Sequence, residues 1–140
     1  MERLHVEKEL EKKVEELHDE SKELLSELNF MVDELKFFNS LLQSYEFVPH
    51  TKELFEDSGI LVHDLDAVKK KNDEMRKLVN THDNELGGMM ECGDDKECAL
   101  TYIGQHNSVK TRVQEHIVAF KDKKRRVFTF LNAILEKKKG

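Results

Sequence analysis

Before Pro49 the chain contains neither Gly nor Pro, and apolar or small residues recur at Leu10, Val14, Leu17, Ser21, Leu24, Leu28, Met31, Leu35, Phe38, Leu42 and Tyr45. The spacing alternates four and three, the period of about 3.5 residues kept by a helix that holds one seam against its partners. It predicts one helix over about residues 3–47, roughly 65 Å long at ~1.5 Å per residue. Pro49 ends it, because proline cannot continue a helix interior and drives the preceding Val48 into an extended conformation. Thr51 is placed to cap a second helix over 51–86, whose seam runs through Leu54, Ser58, Leu61, Leu65, Val68, Asn72, Met75, Val79, His82 and Leu86. Gly59 is a weak point at which a short first piece of this helix could end.

The period disappears in Gly87-Gly88-Met89-Met90-Glu91-Cys92-Gly93-Asp94-Asp95-Lys96. Three glycines and no regular spacing predict a mobile loop over 87–96. Asp94 or Asp95 would cap a third helix over 95–137, with apolar positions at Ala99, Ile103, Val113, Ile117, Phe120, Val127, Leu131 and Ile134. Lys137, Lys138 and Lys139 suit its C-terminus, where cations oppose the helix dipole. Three helices joined by short connections run up, down and up. The expected fold is therefore all-α, an antiparallel bundle of three long helices with coiled-coil-like heptad seams. Turns centred near residues 48–49 and 91–92 set the expected register. It brings His82 close to Glu15 and His18, about a turn from His106, and sets the 121–126 segment opposite Glu56 and Asp57.

Composition agrees with this reading. The 140 residues suffice for one domain spanning 1–140, and 37% charged residues with one Pro and no Trp are typical of long helices. No run approaches the roughly 20 apolar residues of a membrane span, and the N-terminal residues lack the apolar stretch of a signal peptide. Two cysteines fit a reducing compartment, so a cytoplasmic location is expected. The net charge of −6 is uneven: residues 1–47 carry 6 basic and 13 acidic side chains, 48–108 carry 7 and 13, and 109–140 carry 10 and 3. An acidic whole disfavours nucleic-acid binding, which depends on many unneutralised cations.

Three groups of residues carry candidate chemistry. His18, His82 and His106, with Cys92 and Cys98 in the adjoining loop, bring metal-ligand side chains toward one end of the bundle, and Glu15 to His18 matches a Glu-x-x-His pattern. The five residues between the cysteines exceed the usual zinc-finger spacing, so the pair reads as ordinary loop thiols, with a reversible disulfide sterically open to it. Asn72 and His82 read as register devices, polar seam residues that cost stability while selecting one alignment. Phe30, Phe37 and Leu41 lie to one side of the first seam and widen its apolar arc. They need cover from a broad contact within the chain, a second copy, or another protein's helix. Lys121, Lys123, Lys124, Arg125 and Arg126, beside Val127, Phe128 and Phe130, form a candidate for anionic surfaces, though a solvated, ion-paired helix face explains them as well.

Enzymatic signatures and cofactor motifs are absent: no phosphate-binding Gly-rich loop, no nucleophile elbow, no His-Glu-x-x-His. The expected function is a non-enzymatic structural or protein-interaction bundle, self-associating or taking a partner helix on the face of Phe30, Phe37 and Leu41. The alternative is a metal-binding or redox-responsive bundle using the His and Cys residues.

Overall fold

The computed structural model describes the backbone of residues 2–139 and the side chains of 4–137, so Lys138 and Lys139 at the expected C-terminal cap have side chains outside the described residues. Three α-helices, with no strand among the described residues, pack against one another as the up-down-up bundle that the heptad seams predict. They are α1 (Glu2–Leu42), α2 (Lys52–Glu85) and α3 (Lys96–Lys139). No helix among the described residues is long and apolar enough to cross a membrane.

The helix boundaries follow the local chemistry. α1 stops at Leu42 rather than near residue 47, and the chain passes into a short 3₁₀ turn, Tyr45–Phe47. The tighter winding of that turn breaks the seam's phase. Tyr45, expected on the seam, is 90% exposed, and Phe47 takes the buried place. Val48 is extended before Pro49, with φ −68° and ψ 125°. The Leu54 N–H donates to Thr51 Oγ1 at 3.1 Å, capping α2. α2 runs through Gly59 without a break. Flanking apolar anchors at Leu54 and Leu61 hold its buried stripe on both sides of the glycine.

The stretch expected as a mobile loop over 87–96 is largely structured. Leu86–Cys92 winds as a 3₁₀ helix that buries Leu86, Met89 and Cys92. The reversal falls at Gly93, whose φ of +59° suits a residue without Cβ, and Asp95 Oδ1 then accepts from the Cys98 N–H at 3.2 Å to cap α3. Because the 3₁₀ segment prolongs the course of α2, the register between α2 and α3 differs from the expected one by about one helical turn. Thus His82 meets His106 directly rather than standing about a turn from it, and Lys123 meets Asp64 rather than Glu56 and Asp57.

The residues group into two compact units, each drawing on all three helices. The first comprises the chain through Leu28 together with Glu74–Glu115, and the second comprises Asn29–Asp73 together with His116 onward. In the first, Leu10, Leu17, Leu86, Met89 and Cys92 form a core flanked by Val14, Cys98, Tyr102 and Ile103. In the second, Met31, Leu35 and Phe38 of α1, Leu61 and Leu65 of α2, and Phe120, Val127 and Ile134 of α3 are buried.

Candidate functional site

Two arrangements stand out, one polar and buried in the first unit, one apolar and exposed in the second. The polar one begins with His82 on the α2 seam. Its Nε2 lies 2.8 Å from His106 Nδ1 on α3, and His106 Nε2 lies 2.8 Å from Glu20 Oε2 on α1. An ionised carboxylate only accepts, so His106 donates its Nε2–H to Glu20, and a single proton bridges its Nδ1 and the His82 Nε2. Both imidazoles are buried, while Glu20 reaches the half-exposed rim, where Lys110 also donates to it at 3.4 Å. Burial pushes His82 below its ordinary pKa and the adjacent His106 adds to this, with Glu85 and Asp83 opposing. The hydrogen bond from His106 holds the Glu20 carboxyl below its usual value, helped by Lys110 and opposed by burial.

These contacts relocate the sequence-level candidates. His18 does not join His82 and His106; its Nδ1 hydrogen-bonds Asp83 Oδ1 instead. Glu15 is exposed. Cys92 and Cys98 form a disulfide, so they present neither free loop thiols nor thiolate ligands. Among the described residues no group of three His, Cys, Asp or Glu side chains is arranged to hold a metal ion. The histidine chain thus joins α2, α3 and α1 through two hydrogen bonds in a packed polar layer.

Sequence reasoning did not single out Glu20, Asp83 or His116. The first two depended on a register about one turn from the expected one. His116 was accessible to the pattern, since His106, Val109, Val113, His116 and Phe120 continue the three-four alternation. Its Nε2 donates to Asn72 Oδ1 at 3.0 Å in the second unit, so Asn72 meets a specific polar partner on the adjoining seam. No buried side-chain nitrogen or oxygen lacks a partner among the described residues.

The basic run divides by function within the fold. Lys123 bonds Asp64 of α2 at 3.2 Å, and Lys124 bonds Glu34 of α1 at 2.8 Å while lying 5.1 Å from the centroid of the Phe120 ring. Arg126 pairs with Asp122 one turn back. Only Lys121 and Arg125 of this run are exposed without an ion pair among the described residues.

The apolar arrangement lies beside these bridges. Phe30 and Phe37 are 63% and 57% exposed, and Leu41 is half-buried. No helix among the described residues covers the first two. Phe37 packs edge-on against buried Phe38 at 5.7 Å, and Phe38 meets Phe128 of α3 at 5.3 Å, so Phe37 and the 50% exposed Phe128 rest on the same buried ring. Of the twelve exposed large apolar side chains among the described residues, ten fall in the second unit. Isolated apolar side chains on a surface are ordinary, whereas a connected patch marks an interface. A separate cleft of about 490 Å³ between α1 and α2 intersperses Val32 and Val62 with Lys36, Asp66 and Lys69, a mixed lining that converges on no one ligand chemistry.

No family model, curated protein or solved structure matches the chain.

Proposed function

We propose that this protein is a non-enzymatic interaction module that associates through the apolar face formed by α1 and α3 in its second unit. The observation that supports this reading most strongly is that Phe37 and Phe128 remain half-exposed on either side of buried Phe38, with Phe30 exposed two turns before Phe37 on α1, while Phe38 and Phe120 close the core beneath. An aromatic side chain buries about 150–250 Å² in full, so these rings, 50–63% exposed, each offer roughly 100 Å² for burial, at low conformational cost because the ring turns about only two side-chain bonds. Docking an apolar helix there removes that area from water, and the salt bridge from Lys124 to Glu34 keeps the two helices at fixed spacing to receive it.

Site-specific photocrosslinking tests this. A benzophenone side chain introduced at Phe37 is expected to yield a covalent adduct heavier than the single chain in cells, while the same group at exposed Thr111 in the first unit yields none. The absence of any adduct from position 37 would remove the reading.

A further inference from the structure

We infer that the occupant of this face is a second copy of the chain, docked in parallel about a two-fold axis that runs along the helices of the second unit. The inference rests on the interaction reading above and adds the partner and its orientation.

On α3, the exposed residues Val118, Lys121, Arg125, Phe128, Asn132 and Leu135 follow one another at steps of three and four, forming a second heptad stripe that flanks the buried one on the α1 side. On α1 the corresponding stripe is Phe30, Glu34, Phe37 and Leu41, with exposed Asp33 on its outer border. The two helices run in the same direction, and their levels are fixed by contacts at one sequence offset: Lys124 meets Glu34 and Phe128 meets Phe38. On that offset Lys121 stands level with Met31 and Arg125 with Leu35, so Asp33 lies between the two cations in height, on the opposite border of the apolar strip.

The face is therefore self-complementary: Phe37 and Phe128 lie along its middle beside the closed Lys124–Glu34 bridge, with Asp33 acidic on the α1 border and Lys121 and Arg125 basic on the α3 border. None of these three has an ion pair among the described residues. A half-turn about an axis parallel to the helices sets α1 of one copy against α3 of the other. That places Phe37 against Phe128 of the second copy and Asp33 between Lys121 and Arg125 of the second copy, with the same contacts repeated by symmetry. An antiparallel docking would instead oppose α3 to α3 and bring the cations together, a like-charge juxtaposition that disfavours it.

Charge reversal read by sedimentation equilibrium tests both partner and orientation. The wild type is expected to dimerise, Asp33→Lys to weaken the dimer about tenfold or more, and the Lys121→Glu, Arg125→Glu variant to weaken it similarly. Combining all three is expected to restore the affinity to within about threefold of wild type, since the rims are then exchanged. A wild type that stays monomeric, reversals without effect, or a combination that is no tighter than its parents would each overturn the inference. The two readings fail separately: a position-37 adduct of a mass other than twice the chain removes the second copy while leaving the interaction module, whereas no adduct removes both.

Discussion

Imidazole is costly to bury when charged, and the two seam histidines with shifted acidity show how the chain avoids that cost. His82 and His116 are held neutral, both first by burial, with His106 contributing at His82 and Lys71 at His116. Their folded values lie below the ordinary 6.5, so above about pH 6.5 both states are neutral and the folded chain keeps its full stability. As pH falls below that value the unfolded chain binds protons that the folded chain resists, and stability declines until the folded values are passed. Glu20 acts at a lower pH, losing its contribution as pH falls below about 4.5 toward its depressed value, and its exposure keeps that contribution small. Thermal melts should thus be level from about pH 8 to 7 and show a falling Tm from about 6.5 to 5.5, with His116→Gln removing part of the decline. A Tm unchanged over the whole range would contradict the neutral-histidine account. At this scale the sequence was only partly legible. Asn72 and His82 read as register-setting seam residues, whereas Glu20 and Asp83 sit just off the seam and could be paired only once the register was known.

Helices and their ends were legible where chemistry acts locally. The Thr51 cap, the Asp95 cap and the extended residue before Pro49 all follow from side chains within a few residues. Less legible were the 3₁₀ segments, Tyr45–Phe47 and Leu86–Cys92: Leu86 continues the α2 seam, whereas Phe47 is buried out of the seam's phase and Met89 packs with Leu10 and Leu17, far away in sequence. Those seven residues after α2 account for the displaced register, and with it for the altered partners of Lys123. Gly59 is the element-scale test. It sits inside α2, and a Cβ there meets nothing within 4 Å. Gly59→Ala should therefore stabilise the protein by about 0.5–1 kcal/mol, raising Tm by about 2–5 °C. Gly93→Ala, by contrast, should lower it because of the positive φ at that turn. A Gly59→Ala variant that melts lower than wild type would show that α2 needs the glycine's freedom.

For the whole molecule, the heptad seams carried the three-helix bundle, since a period of about 3.5 sustained over three long segments admits few other architectures. The widened apolar arc at Phe30, Phe37 and Leu41 was also visible as spacing. What spacing could not reveal was whether the chain covers that arc itself, because the answer depends on where α3 lies, and Lys124 and Phe128 settle it only through their contacts with Glu34 and Phe38. The proposed association runs through this uncovered face. Light scattering coupled to size exclusion, on wild type and Phe37→Glu with helicity recorded on the same samples, tests it most directly. Twice the single-chain mass of 16.4 kDa is expected for the wild type, and the single-chain mass for Phe37→Glu at unchanged helicity. A Phe37→Glu variant that keeps the doubled mass would contradict it.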